Sequence, residues 1–135
     1  MRMNRAIKIR AWDTVRNRFL EAYEMQYLYI DSDGRVQYSD SAPFNPRDER
    51  TVLLTEFTGL VDKNGTEIFE GDIVRIGSRV HEIVFKDGAF VIMITLVHDG
   101  SLFYLDARHD FLNMEIIGNR YENPELLEGI CTASN

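Results

Sequence analysis

The stretch from Phe57 to Ile76, FTGLVDKNGTEIFEGDIVRI, constrains the fold more than any other part of the chain. Asp62-Lys63-Asn64-Gly65 is a turn signal, because Asn and Gly tolerate the positive φ that tight hairpin turns demand. Glu70-Gly71-Asp72 is a second break, and Asp72-Ile73-Val74-Arg75-Ile76 then launches an alternating strand. Asp62, Asn64, Gly65, Gly71 and Asp72 therefore read as structural turn residues, the glycines for conformation and the Asx side chains for bonds to backbone N–H groups. A loop-then-strand opening followed by several short strands is how small SH3-type barrels often begin. The segment carries no nucleophile, phosphate cradle or metal-ligand cluster, so it specifies a fold far better than a chemistry.

The rest of the chain has the periodicity of strands. Ile7, Ile9 and Ala11 alternate with Lys8, Arg10 and Trp12, which predicts a half-buried strand whose other face is basic and aromatic. Thr14–Arg18 reads as a polar turn, and Phe19–Tyr23 as a second strand or a short helical stretch. Tyr27–Ile30 and Arg35–Tyr38, joined by Asp31-Ser32-Asp33-Gly34, read as a hairpin. Ser39–Arg50, with Pro43 and Pro46, reads as a loop. A strand over Thr51–Thr58 should place Leu53, Thr55 and Phe57 on one face and Leu54 and Glu56 on the other. Beyond the signature loop, strands are expected at Asp72–Ile76, Val80–Lys86, Ala89–Val97, Leu102–Leu105 and Met114–Gly118, with turns at Lys86-Asp87-Gly88 and Asp99-Gly100. Strands punctuated by Gly-bearing turns every 8–12 residues or so are the pattern of barrels and sandwiches. One short helix is signalled, with Asn123 as N-cap, Pro124 at N1 and Gly129 as a stop.

Composition bounds the function classes. The 135 residues suit one domain, read as N-terminal strands over 1–58, an SH3-type barrel region over 59–118 and a short helix and tail over 119–135. The single cysteine, Cys131, allows no internal disulfide and fits a reducing compartment. There is no run of about 18 apolar residues, and no apolar core follows the basic N-terminal residues, so neither a membrane span nor a secretory signal is expected. The first ten residues carry four basic and no acidic side chains. The remainder holds 11 basic and 22 acidic side chains, a net −11, which repels phosphate backbones.

Each candidate chemical site meets a structural reading of the same residues. Asp31-Ser32-Asp33-Gly34 resembles the start of a calcium loop, but Gly34 arrives too early and position 40 is Asp rather than Glu, so a β-turn is expected. His81, His98 and His109 have no helical i, i+4 partner and no cysteine cluster. His98-Asp99 and His109-Asp110 read as surface pairs, because neighbours in a strand point to opposite faces. Glu56, Glu67, Glu70 and Asp72 crowd the signature loop, where like charges would raise one carboxyl and make an acid/base pair conceivable. Asx bonding to backbone is the stronger reading there. No metal or cofactor and no catalytic residue is assigned. The best functional hint is the N-terminal aromatic and basic set. Lys8 and Arg10 with Trp12, Tyr23, Tyr27, Tyr29 and Tyr38, and among these chiefly Lys8, Arg10, Trp12, Tyr27 and Tyr29, would form an interaction patch if exposed, since Trp, Tyr and Arg dominate binding hot spots, although such a tyrosine-rich set is more often core and sheet surface.

Three blocks carry a family resemblance: IKIRAWD at Ile7–Asp13, the signature segment at Phe57–Ile76, and EIIGNRYENPELL at Glu115–Leu127. In order and spacing they resemble the YopX family of phage and prophage proteins, over nearly the whole chain, while Leu20–Arg50 carries none of the match. The resemblance implies a mostly β protein with an SH3-type barrel region, made in the bacterial cytoplasm. It implies no activity and supplies no catalytic residue. The leading expectation is a non-enzymatic module acting through protein contacts or self-association. A nucleic-acid-binding accessory protein using the basic first strand is the alternative, and a small hydrolase-type enzyme stands third.

Overall fold

The computed structural model describes residues 6–39, 52–93, 102–104 and 113–127. The expectations placed on the Ser39–Arg50 loop beyond Ser39, on Asp99-Gly100, and on His98, His109, Gly129 and Cys131 lie outside these residues. The elements are β1 (Ile9–Asp13), β2 (Arg18–Phe19), α1 (Ala22–Met25), β3 (Leu28–Ile30), β4 (Val36–Tyr38), β5 (Val52–Val61), β6 (Glu67–Phe69), β7 (Asp72–Ile76), β8 (Arg79–Lys86), β9 (Ala89–Met93), β10 (Leu102–Tyr104) and β11 (Met114–Asn119). The mainly β class expected from the turn spacing holds. The chain forms two compact units: Ile9–Thr55, and Met1–Lys8 with Glu56–Asn135.

In the smaller unit, β2 pairs antiparallel with β1, aligning Trp12 with Phe19 and Asp13 with Arg18. β3 and β4 form the expected hairpin, with Leu28 opposite Tyr38 and Ile30 opposite Val36. Its turn is closed by Gly34 N–H donating to Asp31 O at 3.0 Å, while Asp31 Oδ1 accepts from the N–H groups of Asp33 and Arg35. That is a β-turn built by an Asx side chain, as the sequence suggested. Ala11, Leu20 and Val52 form the core, with Met25, Leu28, Tyr38 and Leu54 packed against it.

The strict alternation expected for the first strand does not hold. Ile7 precedes the strand and is 72% exposed, whereas Ala11, Trp12 and Asp13 are buried in succession. Both faces of β1 are covered at its C-terminal end. The Trp12 ring meets its cross-strand neighbour Phe19 edge to face, with centroids 4.9 Å apart, an arrangement that adds to simple burial.

The larger unit is built on a five-stranded antiparallel sheet in the order β10-β9-β8-β7-β11, curled as a half-barrel. The specific SH3-type strand plan is a finer statement than the described strands support. Ile68, Val74, Ile83, Ile92 and Met114 form its core, and each fully buried aliphatic side chain contributes about 1.5–3 kcal/mol. β7 departs from alternation: Asp72, Ile73 and Val74 are all buried, because both faces of this central strand are covered. In β11 the register slips between Ile116 and Gly118, a bulge that bends the strand over β7. β6 lies inside the segment read from sequence as loop, with Phe69 opposite Phe57 of β5. Residues 125–127 are helical, preceded by the expected Asn123-Pro124 start. The Asn123 side chain turns backward, however: its Oδ1 accepts from Asn119 N–H at 3.2 Å, and the carbonyl of Asn123 meets Leu126 N–H. Among the described residues no helix is long and apolar enough to cross a membrane.

Gly65 and Gly71 separate two roles of glycine. Both have positive φ, +80° and +90°. A Cβ on Gly65 would meet nothing within 4 Å, but one on Gly71 would lie 3.0 Å from Tyr121 Cε2 and 3.4 Å from Arg120 Cγ. Gly65→Ala should therefore cost only backbone strain, on the order of 1 kcal/mol, and Gly71→Ala about 2 kcal/mol or more. Denaturant midpoints of the two variants check this, and equal losses would contradict the packing role of Gly71.

Candidate functional site

The residues expected to form an aromatic and basic patch are divided between the two units. Lys8 belongs to the larger unit; Arg10, Trp12, Tyr27 and Tyr29 belong to the smaller one. Lys8 Nζ pairs with Glu67 Oε2 at 2.5 Å and sits 5.4 Å from the Phe57 ring centroid. Arg10 Nε donates to Thr55 Oγ1 at 3.0 Å, and its guanidinium lies over the Phe19 ring at 4.8 Å. Trp12 is buried, which corrects the expectation that it stands on an open face. Tyr27 is half-buried and Tyr29 is 53% exposed. Tyr23 of the same aromatic set, on α1, is 56% exposed, and pattern reading missed one companion, Ile30 at the end of β3, which is 50% exposed. The signal for Ile30 was available, since a three-residue strand leading to a tight turn leaves its last residue beyond the core.

Glu24 organises the smaller unit. It is buried, and its carboxylate receives Arg18 in a fork, Nη1 to Oε1 at 2.7 Å and Nη2 to Oε2 at 3.0 Å. Arg16 Nη2 adds a contact at 2.9 Å, and Glu21 N–H donates to Oε1 at 3.0 Å. Arg16 also bonds Asp13 Oδ2 through Nε. A one-turn helix cannot stand alone; this four-donor carboxylate fixes α1 to the preceding turn. The Arg18 fork and, opposing it, burial set the charge state, and the net result holds the Glu24 carboxyl down at about 2 against an ordinary 4.5.

In the larger unit Asp62 and Asp72 accept from backbone N–H groups, whereas Asn64, expected to adopt a positive φ, does not and contributes its own N–H to Asp62. Asp62 Oδ1 accepts from the N–H groups of Asn64 and Thr66, each at 2.9 Å, and Gly65 N–H donates to Asp62 O at 3.0 Å. Asp72 Oδ2 accepts from Phe69 N–H at 2.8 Å. The crowd of acids sorts differently from the expectation. Glu67 is taken by Lys8 and Asp72 by the backbone, and Glu82 of β8 joins Glu56 and Glu70 as a new member of the group. Glu82 is buried, and its Oε2 lies 3.4 Å from Arg120 Nη1. Burial raises the Glu82 carboxyl, with Arg120 opposing and Glu70 assisting; burial likewise raises Glu70, against Arg120 and with help from Glu56. Arg120 is placed by its own N–H, which donates to Gly71 O at 2.8 Å. Chemically this is a carboxyl biased toward its protonated form beside one guanidinium. Next to it in sequence, His81 is buried as well. Alternation in RVHEIVFK gave no warning of Glu82, because its cover comes from the turn after β11, far away in sequence.

Comparison with known proteins bears on the whole chain. A family model described as YopX protein matches residues 8–128. The crystal structure of protein EF1440 from Enterococcus faecalis is similar over 90% of this chain and 98% of that one, with a TM-score of 0.56 and 28% identity. Protein yopX from Bacillus subtilis is similar over 87% of this chain and 95% of that one, with a TM-score of 0.57 and 22% identity, a likeness of fold. No curated protein matches the chain.

The two buried glutamates should respond to pH with opposite signs. Glu24 has a depressed folded value, so its stabilisation is fully present above 4.5 and lost as pH falls toward 2. Glu24→Gln should cost on the order of 2–3 kcal/mol at neutral pH, with the gap to the parent closing through that acid window. Glu82 has a raised value, so its charge opposes folding at neutral pH and the penalty fades as pH falls toward 4.5. Glu82→Gln should melt at or above the parent at neutral pH, by up to about 1 kcal/mol. Melting curves from pH 7 downward check both signs; a Glu82→Gln protein clearly less stable than the parent at neutral pH would contradict the second.

Proposed function

The chain belongs to the YopX family, and from that premise we propose that it is a non-enzymatic protein-interaction module whose contact surface lies on Tyr23, Tyr29 and Ile30 of the smaller unit. The carrying observation is their exposure, 56%, 53% and 50%. Single exposed apolar residues are ordinary on a protein surface, but three large ones within residues 23–30 are not. The β3–β4 ribbon that carries two of them pairs with no third strand among the described residues. Such an edge accepts an extended segment by backbone pairing, with flanking aromatic side chains supplying specificity. The occupant that fits is a strand-forming protein segment with an apolar side, from a partner or from a second copy.

Charge supports protein over nucleic acid. Beyond residue 10 the chain carries a net −11, and Lys8 is already paired with Glu67. A phage-derived protein working in the cytoplasm of its bacterial host accords with this reading, as does a sequence with one cysteine and no possible internal disulfide.

Cross-linking and affinity capture from bacterial extract, with sedimentation of the pure protein, test the proposal. Tyr29→Asp with Ile30→Asp should abolish the captured partner or the self-association while melting within about 1 kcal/mol of the parent, as exposed substitutions do. Capture and sedimentation indifferent to the double variant would refute the surface. Sub-micromolar binding of a duplex or single-stranded oligonucleotide at about 150 mM salt, tighter than the non-specific range, would favour nucleic acid instead.

A further inference from the structure

A depression of roughly 540 Å³ opens on the larger unit, lined by Lys63, Arg75, Ile76, Gly77, Asn113 and Glu115. Its volume falls in the range of small-molecule sites, about 300–1,000 Å³. Its lining is rich in donors. The Arg75 side chain makes no hydrogen bond or ion pair among the described residues, although Glu115 is its cross-strand partner on β11. Asn113 makes none either. Lys63 is shared with Glu115, Nζ to Oε2 at 3.6 Å, a long and half-exposed contact that holds the ammonium only weakly. Two cations thus face one carboxylate, a local excess of one positive charge in a chain of net −7.

These donors stand on fixed backbone. Arg75 is central in the sheet, its Cα paired with Val80 of β8 on one side and Glu115 of β11 on the other. Lys63 is tied by its N–H to Met114 O at 2.9 Å. Gly77 offers no side chain to obstruct the opening, and Ile76 supplies an apolar wall. An exposed guanidinium on a rigid strand, left without an acceptor beside a carboxylate that could have taken it, presents its planar fork to solvent. That fork fits an acceptor with two parallel oxygens.

We propose that this depression binds a small oxyanion-bearing molecule, a phosphate monoester or a carboxylate, with Arg75 as bidentate partner and Lys63 and Asn113 as secondary donors. Glu115 sets the selectivity: it neutralises part of Lys63 and limits the site to a ligand of low negative charge. The inference goes beyond the interaction module proposed above and shares no residue with it, so either can fail without the other.

Nuclear magnetic resonance of labelled protein, titrated separately with inorganic phosphate and acetate against chloride at constant ionic strength, tests it. One saturable site is expected below about 10 mM for at least one of the two anions, moving the Arg75 Nε–H signal and the Ile76 and Gly77 amides. The preferred anion tells phosphate from carboxylate. Arg75→Gln should weaken it about tenfold or more, and Arg75→Lys several-fold, because an ammonium keeps the charge and loses the fork. Glu115→Gln should tighten it by about threefold, since a like charge is removed. Thermal melts of each variant confirm that it folds, and Arg75→Lys carries the test should Arg75→Gln not fold. Absence of saturation with either anion, shifts indifferent to both Arg75 variants, or weaker binding by Glu115→Gln would overturn the proposal.

Discussion

The carboxylate of Asp62 is the contact on which the architecture of the larger unit depends. β11 is the terminal strand of the five-stranded sheet, and one side of it pairs with β7. The other side would expose an unpaired N–H and C=O ladder, the liability of any edge strand. Here Ile116 N–H donates to Asp62 Oδ2 at 3.0 Å, and Met114 O accepts from Lys63 N–H at 2.9 Å. The same carboxylate holds its own turn through Asn64 and Thr66. Burial alone would raise the Asp62 carboxyl; the N–H groups of Ile116, Thr66 and Asn64 outweigh it and keep the group below its ordinary value. One side chain therefore shapes the signature turn and closes the sheet edge 54 residues away.

The two units use charge in different ways. In the smaller one, Glu24 is fully supplied with donors, and a short chain segment with a modest apolar core gains order from that network. In the larger one, burial pushes the Glu70 and Glu82 carboxyls toward protonation, with Arg120 opposing it at both. A satisfied buried network rigidifies, whereas a buried carboxylate raised by desolvation makes stability respond to pH with the opposite sign. The covered edge at β11 also argues that pairing with another chain takes place elsewhere, which is consistent with the open β3–β4 ribbon.

Much of this was legible in the sequence, because turn chemistry is local. The Asp62–Gly65 and Asp31–Gly34 turns and the Asp72 bond to Phe69 act through neighbours within a few residues, whereas the bond from Ile116 to Asp62 and the packing of Gly71 against Tyr121 do not. The β7, β8 and β11 spans likewise followed from apolar runs bounded by Gly. What failed did so for more than one reason. Trp12 was expected on an open face because alternation assumes one buried side; β2 and the local core bury both. The strand reading of Val80–Lys86 said nothing of the burial of Glu82, because its cover comes from the turn carrying Arg120. β6 was hidden because three residues between two turn signals are too few to show a period. Ile30 was missed for the converse reason, since apolar residues are assigned to cores by default.

Native-state hydrogen exchange at the Ile116 amide tests the central claim directly. In the parent protein this N–H should exchange slowly, although it faces away from the only strand that pairs with β11 among the described residues. In Asp62→Ala it should become exchange-labile while the core amides of Val74 and Ile83 stay protected. Unchanged protection of Ile116 in the variant would show that the edge is closed by something other than Asp62.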